Sequence, residues 1–287
     1  MQLPRTMMPT QVAMATALVV LSVAAGWAAW RDMISVATER EDQSHILLAV
    51  PVAIWLGVVR AGRLRFVSIE PSWWGAAACV GGILLSAAGF RLGIDLLWHA
   101  GAVVSVGGAV VSVFGVSAAR KFLPSFLALG FLLPVPGRLR QPIALPLQEI
   151  SARVTEFVLD LIALPIARSG NILVINDQEV AVAEACNGMR MVGSLALVTF
   201  AFAFSIPMRN RIRLALLIAS PLVALLVNIV RLIPTTLMYG YSSKPAADTF
   251  HDVSGWAVLA LALGILWLML HVMQWMEIRT VNYAVDA

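Results

Sequence analysis

Eight apolar runs cut by short charged breaks dominate this sequence, at roughly 11–30, 46–59, 71–90, 94–117, 122–136, 187–206, 212–233 and 255–275. A bilayer accepts such runs as helices: crossing its ~30 Å hydrocarbon layer takes about 20 apolar residues. Only helices and closed barrels satisfy their backbone groups there. Composition points the same way. Of 287 residues, 60% are hydrophobic and 13% charged, with a mean hydropathy of +0.86. A soluble domain carries about 45–50% apolar and ~25% charged residues. Disorder, a secreted disulfide scaffold and an ordinary cytosolic enzyme are excluded. The expected fold is all-α and polytopic, with about eight transmembrane helices in a single membrane domain over 1–287.

The second and fifth runs are short, and the fifth closes on Leu133-Pro134-Val135-Pro136-Gly137, where paired prolines stop a helix. The first run is too long for a typical signal-peptide core and reads as a retained helix. The net charge of +4 reads as topology, with no nucleic-acid partner expected. With the N-terminus inside and one crossing per run, Arg5, Arg60, Arg63, Arg65, Arg120, Lys121, Arg209, Arg211, Arg213 and Arg279 fall on the inner side. These are ten of the twenty basic residues, in five short pieces. That is the bias of cytoplasmic loops, so an N-in, C-in chain is expected.

One outer segment, 137–186, is larger than the rest. Within Gln141–Ala167, residues Leu145, Leu147, Ile150, Val154, Phe157, Val158 and Leu161 recur at helical spacing, while Gln148, Glu149, Arg153 and Glu156 spread elsewhere. This predicts an interfacial amphipathic helix outside the membrane, since the charges are costly in lipid. Ile172–Ile175, then Asn176-Asp177, then Glu179–Val182 predict a short β-hairpin that delivers the chain to the sixth span.

Three places carry the residues for chemistry. In Glu184-Ala185-Cys186-Asn187-Gly188-Met189-Arg190, Cys186 falls at the outer entrance of the sixth span. Unpaired N–H groups and the helix dipole favour a thiolate there, Gly188 permits close approach, and Arg190 adds charge. The cysteine reads either as a nucleophile or as a small buried hydrophobe. Cys79, within Ala76-Ala77-Ala78-Cys79-Val80, reads as the latter. In Asn228-Ile229-Val230-Arg231, the arginine lies near the outer end of the seventh span. It is either a site residue or a snorkelling anchor, with Asn228 on its face. In His251-Asp252-Val253-Ser254-Gly255, the imidazole reads as a proton-transfer group or as a hydrogen-bonded bundle residue. His45, His99 and His271 are placed less aptly. Together, a thiol, an imidazole and a guanidinium on one face suffice for acyl transfer through a thioester. Two cysteines cannot build a tetrahedral metal site, and no cofactor or metal is expected.

These three motifs resemble those of the exosortase/archaeosortase family of membrane-embedded cysteine transpeptidases, whose pattern is Ala-Cys-(Ser/Thr)-Gly-x-Arg, Asn-x-x-Arg and a third motif opening on His or Arg. The likeness covers about 120–275, taking in Pro134-Val135-Pro136, Pro146-Leu147-Gln148 and the Val180–Glu184 lead-in, so that 121–275 is the expected catalytic core and 1–120 four variable spans. His251 resembles the bacterial branch. Asn187 departs from the usual hydroxyl residue, and the chain is expected to lack the C-terminal domain fused to some exosortases. The resemblance implies Cys186, Arg231 and His251 as the catalytic residues, supported by Glu184, Asn187, Gly188, Arg190, Asn228 and Gly255. It also implies a protein of the bacterial inner membrane with its site on the periplasmic face. The implied partners are exported proteins bearing a C-terminal PEP-CTERM signal (motif, helix, basic tail), together with the lipid bilayer and a surface acceptor or exopolysaccharide machinery. Two rival readings are a transporter, which calls for half-sequence symmetry and midplane ionisable groups, and a non-catalytic component of exopolysaccharide assembly. A rhomboid-like serine protease and a metalloprotease are disfavoured, as neither Gly-x-Ser-x-Gly nor His-Glu-x-x-His occurs.

Overall fold

The computed structural model describes residues 9–66, 69–182 and 188–285. The chain divides into two compact units, Met1–Pro136 and Gly137–Ala287, at the Pro134–Gly137 stop. In the first unit, α1 (Pro9–Ala25), α2 (Trp27–Glu39), α3 (Ile46–Val59), α4 (Trp73–Leu92), α5 (Asp95–Lys121) and α6 (Leu123–Ala128) follow in order. The first apolar run is not one straight helix. It breaks at Gly26, a poor helix former, and α1 and α2 diverge by 76°. The bend sets Asp32 of α2 against His99 of α5, Oδ2 to Nε2 3.0 Å. His99 is therefore a buried, hydrogen-bonded bundle residue. Cys79 sits with its Sγ 3.4 Å from Ser22 Oγ.

Helices α4 and α5 form an antiparallel pair with backbones in contact. Gly75, Gly82 and Gly89 recur every seventh residue on α4, and Gly101 and Gly108 answer them on α5. A Cβ at Gly82 would overlap the backbone of Ser105, one at Gly101 that of Ser86, and one at Gly108 that of Cys79. Small residues let helices in lipid approach this closely. Gly93, at φ +65°, turns the chain between them. Gly82→Ala is therefore expected to cost roughly 1–3 kcal/mol by overpacking, whereas Gly81, with no atom within 4 Å of an added Cβ, accepts alanine. Thermal unfolding of the two variants in detergent checks this: Gly82→Ala melts well below Gly81→Ala.

The second unit starts with α7 (Gly137–Leu161), passes through β1 (Ile166–Ser169), β2 (Ile172–Ile175) and β3 (Gln178–Ala181), and ends with α8 (Gly188–Ser205), α9 (Asn210–Tyr241) and α10 (Lys244–Val285). The expected hairpin is present as β2–β3, with Ile175 opposite Gln178. Asn176 and Asp177, at φ 48° and 59°, form its turn, the left-handed pair that a two-residue hairpin requires. The amphipathic helix ends earlier than the expected 141–167. Ala163 takes φ 57°, Pro165 cannot continue a helix, and the next residues become β1, paired antiparallel with β2.

Helix α7 packs through Ala144, Ser151, Ala152, Thr155 and Leu159. Apart from Leu159, its larger apolar side chains lie mostly on the other side, with Leu139, Ile143, Ile150, Phe157 and Leu161 all exposed. A helix that meets protein with its small face and offers a leucine–phenylalanine stripe outward suits a lipid boundary. The sheet hangs from α7 through Arg168 Nε to Glu156 Oε2 at 2.6 Å and Asn171 Nδ2 to Gln148 Oε1 at 3.2 Å. The long α9 serves two cores: Val223, Ala224 and Val227 meet Met191 and Leu195 of α8 and Val258, Ala262 and Leu266 of α10. Further along, Leu232 closes onto Leu173, Ile175, Val180 and Val182.

Apolar helices coincide with all eight runs, but they differ in reach. Trp73–Leu92, Asp95–Lys121, Asn210–Tyr241 and Lys244–Val272 are long and apolar enough to cross a membrane, and the bent α1–α2 pair makes a fifth candidate. Ile46–Val59, Leu123–Leu132 and Met191–Ser205 are shorter. Ile46–Val59, at 14 residues, falls below the ~20 residues a perpendicular crossing needs, and Pro134 closes the run behind Leu123–Leu132.

Candidate active site

Arg231 lies on α9, one turn past Asn228, and both side chains are buried, at 6% and 2% exposure. Two groups from successive turns near the start of α10 fix the guanidinium. Its Nε–H donates to Ser254 Oγ at 3.1 Å and its Nη2–H to the His251 carbonyl at 2.8 Å. Ser254 Oγ–H in turn donates to that same carbonyl at 3.0 Å, so the serine hydroxyl and the carbonyl form one bracket. Gly255 allows α10 to lie against it, since an added Cβ would sit 3.5 Å from Nη2. Thr235 Oγ–H donates to the Arg231 carbonyl at 2.8 Å.

The arginine thus meets the backbone of His251 rather than its ring. Nδ1 of the imidazole stands 3.4 Å from Asp252 Oδ1, while Nε2 is buried and has no partner among the described residues. Asn228 Oδ1 is in the same condition. No carboxylate pairs with Arg231 among the described residues. A guanidinium carries five N–H donors, and the bracket uses two, which leaves three without a partner among the described residues. Such a charge is costly without a counter-charge, and the arrangement fits an anion that arrives during function.

The sequence-predicted residues divide in three. Arg231, His251, Asn228 and Gly255 converge. Gly188 and Arg190 lie in the first turn of α8, the helix start expected just after the cysteine. Cys186, Glu184 and Asn187 lie outside the described residues. Ser254 is the site residue that the sequence reading passed over. Its signal was positional, three residues past His251 and so on the same face of α10.

All three motifs fall within residues 30–268, which match the family model described as Transmembrane exosortase (Exosortase_EpsH). The chain belongs to the transmembrane exosortase family. The match carries the likeness read over 120–275 upstream into the first unit. Comparison with curated proteins and with solved structures returned no match. Exosortase membership implies a membrane sorting protease for PEP-CTERM-type proteins, a family of generally cysteine-type transpeptidases.

Proposed function

We propose that this exosortase cleaves C-terminal PEP-CTERM-type sorting signals of exported proteins through a thioester on Cys186 and passes them to an acceptor. The observation that carries this reading is the bracketed, buried Arg231, whose remaining donors have no partner among the described residues. In acyl transfer, negative charge develops on the carbonyl oxygen, and preorganised donors at that point are the largest single source of acceleration. The Cys186 thiolate attacks the substrate carbonyl, Arg231 takes up the oxyanion, and His251 Nε2, unsatisfied within the described protein, gives the proton to the leaving amine. An acceptor amine or water then attacks the thioester, regenerating the thiolate. Asn228, one turn before the arginine with Oδ1 unpartnered among the described residues, accepts a substrate N–H, and Glu184, Asn187, Gly188 and Arg190 support the thiolate at the start of α8.

Arg231 lies about 27 Å along α9 from Arg213, at ~1.5 Å per residue, nearly a full hydrocarbon thickness from the Arg209–Arg213 cluster. This supports a site on the periplasmic face, with both termini inside. The substrate's own transmembrane helix docks laterally, bringing its outer junction to the site. The test is to trap the intermediate. Membranes supplied with substrate are expected to hold an acyl group on Cys186 that neutral hydroxylamine releases, and a thiol probe is expected to label Cys186 faster than Cys79. No acyl adduct and equal labelling of the two thiols would overturn the assignment.

A further inference from the structure

The sheet order β1-β2-β3 leaves β3 as an edge strand. Val182 N–H donates to the Asn171 carbonyl at 2.9 Å, and Leu173 and Ile175 stand opposite Val180 and Gln178. Because antiparallel pairs alternate, Gln178, Val180 and Val182 turn their backbone groups toward β2. Glu179 and Ala181 turn theirs to the open side, and among the described residues nothing pairs with them. Proteins ordinarily cover or blunt such edges. Here the edge forms one wall of a cavity of about 700 Å³, with Tyr239, Tyr241, Lys244, Asp248 and His251 across from it.

The wall is rigid. Val180 is packed into the core with Leu173, Ile175 and Leu232, and the hairpin tip is tied down by Asn176 Nδ2–H donating to the Gly240 carbonyl at 3.1 Å. Opposite, Tyr239 Oη–H donates to Asp248 Oδ1 at 2.8 Å. A fixed strand edge, unpaired among the described residues, on a polar cavity that His251 also lines is a template for one more strand. Cys186 follows β3 by five residues, at most about 18 Å of chain, so the strand and the nucleophile belong to one continuous segment.

We infer that the free edge of β3 holds the substrate: an extended peptide segment on the exported side of the sorting motif adds as a fourth strand, bonding to the backbone of Glu179 and Ala181 and leading its scissile bond toward His251. This rests on the protease reading above and names how that site takes its substrate. Recognition along the edge then has a period of two, because alternate substrate residues face β3 with their backbone groups.

The experiment uses the full-length protein in membranes with an exported substrate carrying a PEP-CTERM signal. A proline scan through the substrate segment is expected to lower processing about tenfold at every second position, where a backbone hydrogen bond is lost, and to spare the positions between. A flat or aperiodic profile would overturn the inference. On the enzyme side, Glu179→Pro removes an N–H that its own sheet does not use. It is expected to slow processing about tenfold and to abolish cross-linking of substrate to a photoreactive residue at position 178 in the Cys186→Ala background. Cross-linking that survives Glu179→Pro would count against the edge. Should that variant fail to accumulate, the substrate scan on the unaltered enzyme decides. Continued processing by Cys186→Ala defeats the protease reading itself, whereas Cys186-dependent processing with an aperiodic scan defeats only the strand addition.

Discussion

Cys186→Ala is expected to leave substrates uncleaved in the membrane, a loss on the order of 10⁶-fold if Cys186 behaves as the nucleophile of a catalytic unit. Cys186→Ser is expected to fall nearly as far. A serine hydroxyl is hardly ionised near neutrality, and a helix start of the kind expected to favour a thiolate does not supply the base a hydroxyl needs. The measurement is the ratio of uncleaved to mature substrate in membranes at matched enzyme abundance. Cys79→Ala provides the contrast: its thiol lies beside Ser22 in the first unit, and processing there stays at the wild-type level. Normal processing by both Cys186 variants would remove the thioester from the mechanism.

The second large effect is expected at Arg231. Arg231→Ala takes away the donors proposed to face the oxyanion and is expected to lower turnover by about 10²–10³-fold, the range for loss of one such donor. The substitution also leaves the His251 carbonyl and Ser254 Oγ without the guanidinium that both now hold. Arg231→Lys keeps a charge but not the planar fork, so it cannot grip the bracket and face the substrate at once. It is expected to lie closer to alanine than to wild type. Ser254→Ala removes one of the two braces and should cost about tenfold in kcat with KM little changed, about the worth of one hydrogen bond to a charged group. Single-turnover processing rates separate these cases. An Arg231→Ala enzyme within about threefold of wild type, too small a loss for an oxyanion donor, would exclude the arginine from that role.

Much of the fold was legible because bilayer physics leaves few choices. Apolar runs had to become helices, and Asn176-Asp177 between β-prone runs had to become a tight turn. What escaped was governed by contacts with no local signature. β1 was absorbed into the preceding helix because Ile166 and Ala167 continue an apolar pattern, and only Pro165 hinted at the break. Ile150, Phe157 and Leu161 of the predicted α7 stripe do share an exposed face, yet nothing in its periodicity says that the smaller residues, Ala152 and Thr155, meet the protein. The seven-residue glycine spacing of α4 and α5 was in plain view but silent until two backbones were laid together. Within the site, Arg231 and His251 were identified as residue types suited to the chemistry. Their actual join, side chain to main-chain carbonyl with Ser254 wedged between, depends on how α9 crosses α10, which spacing along one helix does not encode.

The outward stripe of α7 acts as a float. A helix carrying Leu139, Ile143, Ile150, Phe157 and Leu161 on its free side settles where hydrocarbon meets headgroups, and the Glu156–Arg168 and Gln148–Asn171 links pass that level on to the strands. On the proposed protease reading, the height of the cutting position above the bilayer would then be a built-in ruler. It would favour, among polypeptides that carry the sorting motif, those whose membrane anchor begins a set number of residues beyond the bond to be severed.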